Sequence, residues 1–363
     1  MLIQCTKKLL DELKIKPTVV KEELPLFSWH ANLITVNRKK TVVLCNDSNR
    51  YTIVMHGLKV KDFNNIDEII ISSIRETILA ESIKAEIVEQ FINHSPGIIY
   101  AKTKDRSLVA RMNKACDIVD RYDNTFINDV LTQIRVSMRA SAYIFGDGNN
   151  NYVYPNESMY KDLEEFAKAP IFECKAVELK VTLDLENHEV ERKIIVPLNI
   201  TFKNLHNIIQ IVFDWKDYHL HDFNIFDGDK HVVNLVSGED AFEYPSDLPR
   251  IMETGIKLSE YVPKYSRIKY TYDFGDNWEH YIEVDKIIEN HTQKYPMCLL
   301  GVGNAPPEDV GGEGGYDDFL EAISDTANPE HKSMIDWGKM QGYRDFNIEL
   351  VNRRLKYSMK EGW

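Results

Sequence analysis

Apolar and polar positions change period several times along this chain, and each change marks an element. Lys7 to Lys14 reads as a short opening helix that stops before Pro17. Phe27 to Val36, Thr41 to Cys45 and Tyr51 to His56 are β-branched runs. The polar clusters Asn37–Lys40 and Asn46–Asn49 separate them, a pattern that predicts hairpins. Ile66, Ile70, Ile74 and Ile78 then recur at four-residue spacing, and Ile83, Ile87 and Phe91 prolong the stripe. That pattern predicts one long helix, with Asn65 and Glu68 as a capping box and Pro96-Gly97 as its end. A strand at Ile98–Thr103 and helices at Ser107–Val119, Asp129–Met138 and Asn156–Lys168 follow, with an exposed loop at Asp147–Asn151. Pro170 punctuates the end of this half and sets the expected boundary, giving domains 1–170 and 171–363.

The second half opens with strict alternation. Val177, Leu179, Val181, Leu183 and Leu185 fall on one face of a strand, Asn187-His188 turns the chain, and Val190 to Val196 returns. Thr201 caps a helix through Phe213 whose buried stripe is Phe202, Leu205, Ile208, Ile209 and Val212. Strands at His219–Phe226 and His231–Val236, a short helix or turn at Lys257–Val262, and a long hairpin at Arg267–Ile288 come next. Helices at Tyr316–Ile323, Pro329–Lys339 and Asn347–Tyr357 close the chain. Strands and helices in this order define an α+β class. The expected C-terminal domain is a mixed, β-grasp-like sheet with one main packing helix and C-terminal helices.

The bulk properties narrow the function classes. With 363 residues and 43% hydrophobic content the chain is long enough for two ordinary cores. A net charge of −13 disfavours an overall grip on nucleic-acid backbone or on an anionic membrane surface. Lysines and arginines scattered through the first half, such as Arg38-Lys39-Lys40, read first as solvated surface. Cys5, Cys45, Cys116, Cys174 and Cys298 are odd in number and lack a C-x-x-C, so neither a disulfide framework nor a cysteine metal site is expected. With no apolar signal core and no spanning run, the expectation is a cytoplasmic protein with no membrane partner.

The segment Tyr270-Thr271-Tyr272-Asp273-Phe274-Gly275-Asp276-Asn277-Trp278-Glu279-His280, followed by Pro306-Pro307-Glu308-Asp309-Val310-Gly311-Gly312, resembles the signature of the Ri-plasmid third-open-reading-frame family. Leu205-His206, Trp215, His219-Leu220-His221-Asp222-Phe223, Gly315-Tyr316 and the Phe346–Leu355 stretch keep the family's order. Positions matching a Trp-Arg-Arg-like triplet read Val190-Glu191-Arg192 here. The resemblance spans about Phe172 to Tyr357 and implies a plasmid or mobile-element association through the label of insertion-element passenger protein. The first half resembles a separate bacterial domain through Cys5-Thr6-Lys7-Lys8-Leu9-Leu10, Phe27-Ser28-Trp29-His30 and Asn46-Asp47. Neither resemblance implies an activity.

Three constellations can carry chemistry. In the hairpin, alternation puts Tyr270, Tyr272 and Phe274 on one face, then Trp278, His280, Ile282 and Val284 on one face, with Gly275 and Asn277 supplying positive φ at the turn. Asp273, Asp276 and His280 are then acid–base groups or metal ligands, against the plainer reading of turn and core residues. His219-Leu220-His221 places two imidazoles on one side of a strand, an arrangement that can bind a transition metal with Asp222, Asp273, Asp276 or His280 as the further ligand. The glycine-rich loop from Gly301 to Gly315 carries Glu308, Asp309 and Glu313 and no basic residue, so it repels phosphate and suits a divalent cation or an anchoring role. Two readings stand open. One is a non-enzymatic binding module for a protein or nucleic-acid partner, using Asp273, Asp276, Trp278, His280, Glu308 and Asp309. The other is a metal-dependent hydrolase with a divalent metal held among His219, His221, Asp273, Asp276 and His280.

Overall fold

The computed structural model describes residues 1–20, 24–95, 97–146, 152–243 and 245–358. It divides into two compact units, Met1–Glu173 and the residues from Cys174 on.

The N-terminal unit contains β1 (Leu2–Cys5), α1 (Lys7–Leu13), β2 (Ser28–Val36), β3 (Lys39–Asn46), β4 (Thr52–Leu58), α2 (Ile66–Ala80), α3 (Ala85–Asn93), β5 (Ile99–Lys102), α4 (Arg106–Arg121), α5 (Ile134–Ser141), the small hairpin β6 (Phe145–Gly146) and β7 (Tyr152–Val153), and α6 (Pro155–Ala167). Its main sheet runs β4-β3-β2-β1-β5. The strand β1, absent from the expected list, lies between β2 and β5 and is parallel to both. Four residues are too few to show a period, so the alternation that reveals β2–β4 is missing there. Both faces of the sheet are covered. Ile3, Trp29, Val42, Leu44 and Ile53 pack with Leu9, Ile74, Ile78, Phe91 and Leu163, while Val43, Cys45 and Val54 pack with Met112, Ala115 and Val119.

Four expectations here need correction. The isoleucine stripe is buried as its spacing predicts, but it belongs to two helices. The chain breaks between them, where Ser82 takes φ 65° and Ile83 bridges to Phe172. Asn65 makes no side-chain cap, because a 3-10 turn at Asp62–Asn65 already leads into α2. The helix expected from Asp129 starts at Ile134: Asp129 has φ 62°, and the Gln133 amide ties Ile127 and Val130 into a closed loop before it. Likewise α6 begins with Pro155 at its first turn, and Asn156 lies inside the helix. Pro96 and the loop at 147–151 lie outside the described residues.

The C-terminal unit contains β8 (Cys174–Leu183), β9 (Val190–Pro197), α7 (Phe202–Val212), β10 (His221–Asp227), β11 (Lys230–Val236), β12 (Arg250–Met252), β13 (Arg267–Tyr272), β14 (Trp278–His291), β15 (Met297–Val302), α8 (Gly312–Ser324), α9 (His331–Gln341) and α10 (Ile348–Ser358). The sheet order is β12-β11-β10-β13-β14-β8-β9-β15. The pair β11–β12 is parallel and the other pairs are antiparallel, so the sheet is mixed. The main helix α7 buries Phe202, Leu205, Ile208, Ile209 and Val212 in one core with Val177, Leu179, Val181, Phe223, Tyr270 and Ile282. Helix α10 packs on β15 and α7. The fold is α+β in two domains, with a main packing helix and C-terminal helices in the second. The short strand β12 and the edge strand β15 were not expected from the pattern. All five cysteines are free thiols, and among the described residues no helix is long and apolar enough to cross a membrane.

The start of α7 shows local sequence and tertiary structure in agreement. The Thr201 hydroxyl accepts from Asn204 N at 3.1 Å and the Asn204 side-chain Oδ1 accepts from Thr201 N at 3.2 Å, a reciprocal cap. Thr201→Ala should cost about 1 kcal/mol of stability and Thr201→Ser only a few tenths. Denaturant unfolding of the two variants checks this, and equal stabilities would refute the cap's contribution.

Candidate functional site

The β13–β14 hairpin pairs Tyr270 with His280 and Tyr272 with Trp278, and all four side chains are buried. The strand stops at Tyr272 because Asp273 turns to φ 55°. Asp273 Oδ1 then accepts from Gly275 N at 2.9 Å and Asp276 N at 3.3 Å, and Asn277 N donates to Asp273 O. The positive φ values fall on Asp273 and Asn277, not on Gly275. This reversal throws Phe274 out of the tyrosine face, leaving it 55% exposed. Trp278 sits in the core near Trp215 rather than on the surface.

Three loops meet beside the hairpin turn. In the segment between α7 and β10, Lys216 N donates to Glu308 Oε2 at 2.8 Å and Tyr218 N to the Tyr272 hydroxyl at 3.0 Å. Glu308 is 2% exposed and also accepts a short bond from the Tyr272 hydroxyl. It anchors the acidic loop, and Asp276 Oδ2 adds a second anchor by accepting from Gly311 N at 3.1 Å. Its neighbour Asp309 is thereby set beside His219, with Oδ1 at 2.8 Å from His219 Nε2, while Asp273 Oδ2 lies at 3.5 Å from the same nitrogen. Partial burial opposes charge on His219. The hydrogen bond to Asp309 and the carboxylates of Asp273, Asp309 and Glu308 outweigh it and raise the ring above its ordinary value.

The two histidines of His219-Leu220-His221 part company. His219 lies in a bend and β10 begins only at His221, so the strand geometry that would align them is absent. His221 points inward and stacks on His206 of α7, with ring centroids 3.5 Å apart and planes 7° from parallel. His221 Nε2 lies 3.0 Å from Glu253 Oε2. His206 Nε2 lies 2.7 Å from Asp217 Oδ1, and its Nδ1 2.8 Å from the Tyr270 hydroxyl. Burial lowers His206 to about 4, helped by His221 and Lys203 and opposed by Asp217. Imidazole lone pairs lie in the ring plane. Two parallel rings this far apart aim side by side, so this pair is poorly arranged to share one ion.

His280 is placed in neither group. It is fully buried, edge-on to Phe213 and Trp215, with Nδ1 3.2 Å from Trp278 O. Among the described residues its Nε2 has no hydrogen-bond partner. Burial, assisted by the charge of Arg192, lowers it to about 3. Arg192 is 1% exposed. Its guanidinium donates to the carbonyls of Val212, Glu191, Val302 and Gly303 at 2.6–3.0 Å and lies over the rings of Phe213 and Phe346. Thus the candidates His219, Asp273 and Asp309 come together, Asp276 and Glu308 hold the loops around them, and His221, Trp278 and His280 lie elsewhere.

Sequence reasoning did not single out His206, Asp217, Glu253 or Arg192 as structural partners. Two of these left a trace. Arg192 falls in the buried register of Val190, Ile194 and Val196, and His206 lies one turn beyond Phe202 on the buried stripe of α7. Asp217 and Glu253 sit in irregular segments, where no period marks them.

A two-domain α+β protein with a polar loop face at the turn of its central hairpin is the class these features define. The model for plasmid pRiA4b ORF-3-like protein matches residues 175–354, and a domain of unknown function (DUF6933) matches residues 2–158. The uncharacterized protein y4hQ of Sinorhizobium fredii (strain NBRC 101917 / NGR234) is 35% identical over 181 residues, covering 49% of this chain and 87% of that protein. The chain belongs to the plasmid pRiA4b ORF-3-like family. The crystal structure of the protein of unknown function MM3350 from Methanosarcina mazei Go1 matches 49% of this chain and 94% of its own at 34% identity, with a TM-score of 0.41.

Two outcomes test this packing. Arg192→Lys cannot reach four separated carbonyls with one ammonium, so it should destabilise the C-terminal unit by about 3 kcal/mol or more in denaturant unfolding. A loss under about 1 kcal/mol would show that the carbonyls find other donors. His280 is held neutral in the fold, so its pKa lies below the unfolded value of 6.5 and near 3. Below about pH 6.5 the unfolded chain binds a proton that the folded chain refuses, so this contribution to stability falls as pH drops towards about 3. His280→Phe should therefore flatten the pH dependence of unfolding free energy by up to about 1.4 kcal/mol per pH unit. Identical slopes for the variant and the parent would sink the assignment.

Proposed function

We propose that the C-terminal unit is a non-catalytic recognition module. Its docking face is formed by the loops carrying Tyr218–Leu220, Asp273–Asn277 and Glu308–Gly311, and its partner is a basic protein segment with apolar flanks. The observation that carries this reading is the exposure of large apolar side chains beside carboxylates. Tyr218 is 67% exposed, Leu220 52% and Phe274 55%, and they flank His219 and Asp273 in the chain. Exposed apolar groups rimmed by charge mark interaction surfaces more often than chance. The carboxylates of Asp273, Asp276 and Asp309 favour lysine or arginine on the partner and repel a nucleic-acid backbone. The hydrolytic reading needs His219, His221 and His280 around one pocket, and their separation supports docking over catalysis.

Peptide display on the full chain tests it. Enriched peptides should combine Lys or Arg with apolar residues. The double variant Leu220→Ala plus Phe274→Ala should weaken them at least tenfold (about 1.4 kcal/mol) without lowering the melting temperature. Enrichment of acidic peptides, or affinity unchanged in the double variant, would overturn the proposal.

A further inference from the structure

From the same face we infer that His219, Asp273 and Asp309 form a site for a divalent first-row transition cation. The inference goes beyond docking: it needs only the placement of three donor atoms, and either reading can fail without the other.

The distances suit the chemistry. Nitrogen and oxygen ligands bind such cations at about 2.0–2.2 Å, so neighbouring donors stand about 3.0 Å apart at right angles and about 3.5 Å apart in a tetrahedron. His219 Nε2 and Asp273 Oδ2 are 3.5 Å apart, already in that range. His219 Nε2 and Asp309 Oδ1 are 2.8 Å apart and must open by a few tenths of an ångström. The Asp309 side chain is 50% exposed and free to make that movement. The three donors lie within 4.8 Å of one another.

The support around the donors is uneven in a useful way. Asp273 is held by loop amides through Oδ1, which leaves Oδ2 aimed at His219. Asp309 follows the buried anchor Glu308 directly. His219 keeps 32% side-chain exposure, so the outer coordination positions face solvent and are open to water or to a ligand. One imidazole and two carboxylates suit manganese, iron, cobalt, nickel or zinc, whereas magnesium and calcium prefer all-oxygen sets. The stacked His206–His221 pair provides the contrast. With Asp217 it also brings three ligand atoms within 4.8 Å, but its rings are stacked parallel, and His206 Nδ1, His206 Nε2 and His221 Nε2 are already bonded to Tyr270, Asp217 and Glu253.

The experiment is titration of the untagged, chelator-treated full chain with cobalt(II), followed by calorimetry and visible d–d absorption. One equivalent should bind, and the absorption should report an ordered nitrogen–oxygen shell. His219→Ala and Asp309→Asn should each weaken binding at least tenfold. Asp217→Asn, at the other histidine group, should leave it unchanged. Having two separate ligand variants keeps the test decisive even if one of them folds poorly. Absence of stoichiometric binding, retention of full affinity in both ligand variants, loss in Asp217→Asn, or displacement of cobalt by a modest excess of magnesium would overturn the assignment.

Discussion

The C-terminal unit depends on one buried cation. Arg192 sits on β9 with no carboxylate partner among the described residues, and its charge is met by four backbone carbonyls and two aromatic faces. Those groups belong to β9, the end of α7, the end of β15 and the segment before α10. A guanidinium can do this because its donors form a planar fork, and a planar cation can lie against aromatic rings while its edges are bonded. The backbone closes tightly around it. A Cβ at Gly303 would lie 2.0 Å from Glu189 O, so only glycine allows this approach at φ 67°.

That cross-tie sets the start of the acidic loop. From Gly303 the chain passes to Pro306, whose carbonyl accepts from Trp215 Nε1 at 2.9 Å, and then to Glu308. Glu308 is buried against Tyr272, which the hairpin fixes in the core. Asp309 is therefore delivered to His219 by a series of anchors that begins at Arg192. The polar face differs from an ordinary solvated loop in this respect: its carboxylates are carried on a backbone tied to the core. The His206–His221 stack lies close by, behind Tyr270 and Tyr272, and is tied to its own carboxylates.

Much of this architecture could be read from residue order. The alternation from Val177 to Leu183 and the stripe of α7 lie where their periods put them, because each is long enough to repeat several times. The resemblance carried by Tyr270–His280 and Pro306–Gly312 holds for the same reason, being a long local motif. Short or edge elements escaped. Strand β1 has four residues, and β12 has three. The long isoleucine stripe concealed a break, since both helices present the same face to one core.

The candidate site was legible only as a list of residue types. By itself the sequence determined the hairpin, its aromatic face, and an acidic loop unable to cradle phosphate. Tertiary structure decided which members of the list meet. Asp273 adopts left-handed backbone, and a single such residue reverses which way the following side chains point. That reversal exposes Phe274. His219 lies in a bend before β10 begins, which separates it from His221. Neither was readable from a two-residue period, because alternation holds only while the chain stays extended.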